Sequence, residues 1–252
     1  MYVSTTHDRE RAAVILQRAT SATSLSFTVP SDAYTLKGEL RNISHEVVQT
    51  VFSHWIKSEC GAQLRLKRLR FEALHFTSCA ALVATILDLS QLREVVMSKC
   101  WDTQLLMESL SQAKPELSVL IDDRAASARP KFGMLQTLLI SCRGLTTLRV
   151  TDKPWSDIHD DFGWPTLARH GGSLRTLFLD DFNSEMLPYV KDDPQDRSIP
   201  AFRAAMLKCS VLEQLAIRVP SLDEADDEED GPNAFLVSSN RCKYSLPWLM
   251  DG

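Results

Sequence analysis

The chain has 252 residues, a formal net charge of −5, 44% apolar and 24% charged residues, the balance of an ordinary globular protein. The negative charge argues against nucleic acid as the main partner. The longest apolar run, Cys79 to Leu87, falls far short of the roughly 20 residues that cross a bilayer.

Taken in order, Asp8 is placed to cap a short helix with Ala12, Ile15, Leu16 and Ala19 on one face. Ser24 to Val29 reads as a strand stopped by Pro30, and residues 31–42 read as loop. Ser44 is placed to cap a helix whose Val47, Val48, Val51, Phe52, Trp55 and Ile56 repeat at helical spacing. A strand at Leu66 and a helix from Ala80 to Leu89 follow, then a strand from Leu92 to Ser98. Asp102 is placed to cap a helix carrying Leu105, Leu106, Leu110 and Ala113, which Pro115 ends. After a strand at 117–121, Pro130 suits the first turn of a helix with Met134, Leu135, Leu138, Leu139 and Cys142 buried and Gly144 at its C-terminal cap. Next come strand 145–150, the Asp157–Asp161 stretch, and a short helix from Trp164-Pro165 to His170-Gly171. Strand 174–179 leads into an irregular segment around Asp192–Pro200, a helix with Phe202, Ala205, Met206 and Cys209, and strand 212–217. Asp223–Asp230, with seven acidic residues in eight, reads as a self-repelling loop or tail, and Asn233–Gly252 shows no clear repeat.

One phrase recurs through these elements: Leu66-Lys-Arg-Leu69-Arg-Phe71, Leu92-Arg-Glu-Val95-Val-Met97, Leu145-Thr-Thr-Leu148-Arg-Val150, Leu174-Arg-Thr-Leu177-Phe-Leu179 and Leu212-Glu-Gln-Leu215-Ala-Ile217. Apolar residues stand at 0, +3 and +5, and in the Leu92 copy Cys100 occupies +8, completing L-x-x-L-x-L-x-x-N/C. Leu117-Ser-Val-Leu120 is a weaker copy and Leu25-Ser-Phe27 an early one. The first leucines at 66, 92, 117, 145, 174 and 212 lie 26, 25, 28, 29 and 38 residues apart; leucine-rich repeats run about 20–29 residues, and the last step holds an insertion. Residues +3 and +5 share a strand face because side chains alternate. The Leu117 copy has Asp122 at +5, so its register stays open: a one-residue slip would turn Val119 and Ile121 inward. The pattern predicts an α/β leucine-rich-repeat solenoid of about six or seven units, a horseshoe with parallel strands on the concave face and helices outside. Residues 1–21 form an N-terminal helix or partial cap, 22–219 the repeats, and 220–252 an acidic loop and C-terminal tail.

These strand-helix repeats resemble the ribonuclease-inhibitor-type leucine-rich repeats, and their irregular lengths and degenerate +8 position are similar to the repeat region of F-box/leucine-rich-repeat proteins. That resemblance, over about residues 22–219, implies a substrate-recognition platform of the kind found in ubiquitin-ligase receptors, with cullin-ligase components among its partners. An F-box itself is not seen: about twenty residues precede the first strand, without the usual leucine-proline start. What carries over is the binding platform rather than the adaptor contact.

Within each phrase, +2, +4 and +6 point away from the buried leucines. They read Arg68, Arg70, Glu72; Glu94, Val96, Ser98; Thr147, Arg149, Thr151; Thr176, Phe178, Asp180; and Gln214, Ala216, Arg218. Arginine and exposed aromatics often anchor protein interfaces, so Arg68, Arg70, Glu94, Arg149, Phe178, Asp180 and Arg218 are the candidate contacts, with Arg68, Arg70, Arg149 and Phe178 the strongest. They are equally the ordinary solvated filling of such a face. The five tryptophans read as core or loop packing.

Chemical motifs are missing. His45-Glu-Val-Val-Gln49 lacks the second histidine of a zinc helix, and Asp157, His159, Asp160 and Asp161 lack the glycine and spaced oxygens of a calcium loop. No phosphate loop, dinucleotide fingerprint or nucleophile elbow occurs. Neither cofactor nor metal is expected, and no catalytic residue. The six cysteines are well separated and no secretory signal stands near Met1, so reduced thiols of a cytoplasmic or nuclear protein, most simply a monomer, are expected. The leading expectation is a non-catalytic protein-protein interaction module; a free-standing or truncated repeat scaffold without ligase role is the alternative, and a GTPase-activating protein using a concave Arg149 a third.

Overall fold

The leucines that open the phrases are all withdrawn from water: Leu66, Leu92, Leu117, Leu145, Leu174 and Leu212 are at most 4% exposed. The computed structural model describes residues 11–14, 22–29, 37–52, 63–124, 132–151, 164–180, 198–218 and 234–238. Expectations at Asp8, Ile15, Leu16, Ala19, Pro30, Trp55, Ile56, Pro130, Asp157–Asp161, residues 192–197 and Asp223–Asp230 lie outside them. The contacts divide the chain into two units, Met1–Arg143 and Gly144–Gly252.

In the first unit, strands β1 (Ser24–Thr28), β2 (Arg68–Glu72), β3 (Glu94–Cys100) and β4 (Val119–Arg124) lie side by side in chain order, all parallel. Helices α1 (Lys37–Val51), α2 (Ala80–Ile86), α3 (Gln104–Ala113) and α4 (Phe132–Ser141) pack neighbour against neighbour. In the second, β5 (Thr147–Thr151), β6 (Thr176–Asp180) and β7 (Gln214–Arg218) are parallel, joined through α5 (Trp164–Leu167) and α6 (Ser198–Lys208). A last strand, β8 (Ala234–Ser238), runs antiparallel beside β7 within the stretch where the sequence shows no repeat.

A backbone device recurs at each junction between successive phrases within a unit. The carbonyl of residue +1 accepts two N–H groups from +1 and +2 of the next phrase: Lys67 from Arg93 and Glu94, Arg93 from Ser118 and Val119, Thr146 from Arg175 and Thr176, Arg175 from Glu213 and Gln214, at 2.7–3.1 Å. Thr23 receives Lys67 and Arg68 in the same way. The first phrase therefore opens at Ala22, with Leu25 and Phe27 at +3 and +5. Residue +7 is left-handed in two successive copies, Ala73 (φ 60°) and Lys99 (φ 52°). That kink lifts the chain off the strand and drops +8, Leu74 or Cys100, into the core. There the Cys100 thiol donates to the Phe71 carbonyl at 3.6 Å and the Ser98 carbonyl at 3.4 Å, the polar service the motif asks of this position.

Phrase register settles the ambiguous strand. Val95 stands beside Leu120 and Met97 beside Asp122, so the slip does not occur. Leu120 and Asp122 are fully buried, while Val119 and Ile121 stand half-buried on the opposite face. A carboxylate thus occupies a site that is apolar in the neighbouring copies, and the Thr103 hydroxyl donates to its Oδ2 at 3.5 Å. Slipping would expose Leu120 and abandon both bonds to the Arg93 carbonyl, a larger loss than one hydrogen-bonded buried carboxylate.

Two capping expectations are corrected. Helix α1 begins at Lys37, inside the stretch read as loop, and Ser44 lies within it. Its fully buried hydroxyl instead accepts the His75 backbone N–H at 3.0 Å. Asp102 does not cap α3: the cap position is Thr103, whose side chain makes no capping bond to the helix. The Asp102 carboxylate is taken by the Thr77 hydroxyl and by Gln104 Nε2 at 3.3 Å. The helix from Ala80 ends at Ile86 rather than Leu89, with a short 3-10 turn, Leu89–Gln91, after it. Other stops behave as read. Helix α3 ends in Lys114 (φ 51°), just before Pro115, and Gly144 (φ 75°) turns the chain after α4. In the first unit an aromatic chain, Phe52 on Phe27 at 6.2 Å, Phe27 edge-on to Phe71 at 6.5 Å and Phe71 to Phe76 at 5.3 Å, fills the core.

The second unit has a tight backbone approach at Gly171. A Cβ there would stand 2.2 Å from the Lys208 carbonyl oxygen and 2.6 Å from its carbon. Gly172, one residue on, faces open space. Gly171→Ala should lower unfolding free energy in urea titration by at least about 2 kcal/mol, because backbone cannot rotate aside, whereas Gly172→Ala should change it by no more than about 0.5 kcal/mol.

Burial pushes Cys79 up to about 12 and Cys142 and Cys209 up to about 11. Cys100 is raised further, by burial first and then by the nearby Asp122 charge. All four are buried free thiols, neutral at physiological pH and out of reach. Timed iodoacetamide labelling at pH 8 with peptide mapping should leave these four unmodified in the native protein and label them together on unfolding.

Candidate functional site

Alternation splits each strand cleanly. In β2, Leu69 and Phe71 are buried while Arg68 and Arg70 are exposed and Glu72 is half-buried. The same split runs through β1, β3 and β5. Since helices cover one side of the strands, the other side carries the side chains that nothing in the core requires.

Parallel register sorts that side into rows whose members stand about 4.8 Å apart. In the first unit the rows are Ser24, Arg68, Glu94, Val119; Ser26, Arg70, Val96, Ile121; and Thr28, Glu72, Ser98, Asp123. Arg68 and Glu94, two of the residues singled out above, are register neighbours. Glu72 is held by the Thr28 hydroxyl at 3.3 Å. Among the described residues, neither Arg68 nor Arg70 forms an ion pair. Val119 and Ile121 join this surface next to Glu94 and Val96, which the residues alone could not establish while the β4 register was open.

In the second unit the rows are Thr147, Thr176, Gln214; Arg149, Phe178, Ala216; and Thr151, Asp180. Arg149 and Phe178 are direct partners, and the guanidinium carbon of Arg149 sits 4.5 Å from the centre of the Phe178 ring. Arg149 is exposed and Phe178 half-buried beneath it. Thr176 donates to Gln214 Oε1 at 3.3 Å on the adjoining row. Asp180 and Arg218 lie on β6 and β7, with their side chains outside the described set.

Two ion pairs among the described residues lie where the strands begin. Arg93 pairs with Glu116 and Arg175 with Glu213, all four exposed, linking the starts of successive phrases. The Arg93 guanidinium, by hydrogen bond and charge, holds the Glu116 carboxyl below its ordinary range. These pairs align neighbours and leave the rows above free of them.

A second polar cluster sits beyond the strand ends and has no precursor in the motif reading. His75 and Trp101, both at +9 of their phrases, form a parallel bridge and stack at 6.3 Å with an 11° tilt. Asp102 Oδ2 accepts the Thr77 hydroxyl and lies 3.4 Å from His75 Nδ1. The carboxylate thus stands between hydroxyl and imidazole, so the imidazole is not placed to take the hydroxyl's proton. With His75 only 5% exposed, the arrangement ties one loop to the next. Its one trace in the sequence is the equivalent +9 position of the two rings.

Among the described residues no group of three or more His, Cys, Asp or Glu is placed to hold a metal ion, and no helix is long and apolar enough to cross a membrane. His45 is exposed on α1, and its Nδ1 lies 2.8 Å from the Ser78 carbonyl. Gln49 is exposed on the same helix. No protein-family model, curated protein or solved structure matches the chain.

An exposed cation over an aromatic ring is worth about 0.5–1 kcal/mol. A double-mutant cycle with Arg149→Ala, Phe178→Ala and the pair, read by urea unfolding, should return a coupling energy of that size. Additive effects would mean that the stacking contributes nothing in solution.

Proposed function

We propose that this protein is a non-catalytic interaction module of the leucine-rich-repeat type, whose strands present a partner-binding face along a solenoid. What carries the reading is the exposed face itself. Its residues are fixed by register and freed from core packing, and they include two arginines with no ion pair among the described residues and a third seated on an aromatic ring. Arginines and aromatics held on rigid strands lose little freedom on binding, and for that reason they anchor interfaces. The repeated +1 carbonyl bonds and the left-handed +7 residue support the repeat architecture. In this reading Arg68, Arg70, Glu94, Arg149, Phe178, Asp180 and Arg218 contact the partner. The similarity to F-box/leucine-rich-repeat proteins makes substrate recognition for a ubiquitin ligase the first pathway to examine.

The test is affinity purification with mass spectrometry. The wild-type chain is compared with a variant carrying Arg68→Ala, Arg70→Ala, Arg149→Ala and Phe178→Ala, both shown to fold by circular dichroism. The expected result is a specific protein retained by the wild type and lost by the variant. Cullin-ligase components among such proteins would assign the receptor role. Identical lists from the two baits would remove the exposed strand face as the binding site.

A further inference from the structure

Resting on that reading, we propose that the Arg149–Phe178 pair is a carboxylate-binding anchor, and that the segment it receives is an acidic stretch of a partner protein. The pair lies in the central row of its unit, with Arg149 exposed. A ring holds a cation through its quadrupole and offers no lone pair to the N–H donors. Arg149, stacked at 4.5 Å, therefore keeps its hydrogen-bonding capacity while losing much of its rotamer freedom. Ordering a long side chain is part of what weakens charged contacts. Here the Phe178 ring bears that ordering before any ligand arrives.

The surroundings select the ligand's charge. The side chains described around the pair on this face belong to Thr147, Thr151, Thr176, Gln214 and Ala216, all uncharged, and the next row carries Asp180 on β6 and Arg218 on β7. Among the residues whose side chains are described, Arg149 has no carboxylate partner. A guanidinium fork matches a carboxylate in two parallel hydrogen bonds, and the flanking hydroxyls and amide suit the polar backbone around it. A nucleic-acid or phosphate-rich ligand would ask for a cluster of cations, where the strands of this unit carry on this face two arginines, Arg149 and Arg218, together with Asp180, on a chain of net charge −5.

The probe is a fluorescein-labelled peptide of alternating glutamate and glycine, titrated with the full chain at low salt and read by fluorescence anisotropy. Glutamine and lysine versions are the controls. The glutamate peptide should bind more tightly than either. Arg149→Ala should weaken it by at least about tenfold, the size of a charge-assisted bidentate contact. Arg149→Lys, which keeps the charge and loses the fork, should weaken it severalfold, and Phe178→Leu, which removes the platform, should do the same. Equal binding of the glutamate and glutamine peptides, or an Arg149→Ala protein indistinguishable from wild type, would overturn the proposal. So would binding that appears only after the acidic residues of 223–230 are changed to asparagine and glutamine, because the site would then belong to the chain's own acidic run. A peptide-display selection on wild type and Arg149→Ala separates this inference from the broader one. If the glutamate probe is silent while neutral or apolar peptides are enriched on the wild type, the carboxylate anchor falls and the interaction module stands; if both are silent, both fall.

Discussion

Within each unit the described structure depends on the way one carbonyl at the start of a phrase takes two N–H groups from the next. Bifurcated acceptance at +1 fixes the parallel register between neighbours to the residue. Once that register is set, +3 meets +3 and +5 meets +5, so the described buried side chains of successive copies abut in one layer within each unit, apolar except at Asp122. Each buried leucine is worth about 1.5–3 kcal/mol, and a slipped strand would lose all of its own. Asp122 measures the strength of this constraint. The chain accepts a fully buried carboxylate at +5, with Thr103 donating to it, in preference to moving β4 by one residue.

The exposed side is the by-product of the same constraint. Residues at +2, +4 and +6 have no part in the core, and so their chemistry is free to serve something else. Register still decides who their neighbours are. Arg149 and Phe178 are 29 positions apart in the chain and become a stacked pair only because both stand at +4 of adjacent copies. Arg68 and Glu94 are brought beside each other by the same logic at +2. A face built this way is rigid, because each side chain stands on a strand hydrogen-bonded to its neighbours.

Where the chain leaves the strands, the limiting factor becomes backbone conformation. Left-handed residues at Ala73, Lys99, Asp102 and Lys114 are each unfavourable for a side chain bearing Cβ by roughly 1–2 kcal/mol. They persist because the turn must be completed in very few residues. The ring stack of His75 on Trp101 and the carboxylate of Asp102 hold the loops after β2 and β3 together at that point. In the second unit Gly171 meets the same need for closeness by omitting its side chain altogether.

The sequence by itself determined the repeat phrase, the strands it forms, their burial pattern and most helix stops. Each of those is dictated locally, by a period of two or 3.6 or by a proline or glycine at a boundary. It likewise singled out Arg68, Arg70, Glu94, Arg149 and Phe178 as surface residues, because alternation follows from the phrase. Only the tertiary structure decided the register at Asp122, since the local residues fit two frames and the choice is made by hydrogen bonds to Arg93, 25 residues from Ser118. It also decided that Ser44 serves His75 rather than its own helix, that Asp102 serves Thr77 and Gln104, and that β8 joins β7. The pairing of Arg149 with Phe178 belongs to the same class. In each case the partner lies on another element, and no spacing within the sequence records a distance that exists only after the copies have stacked.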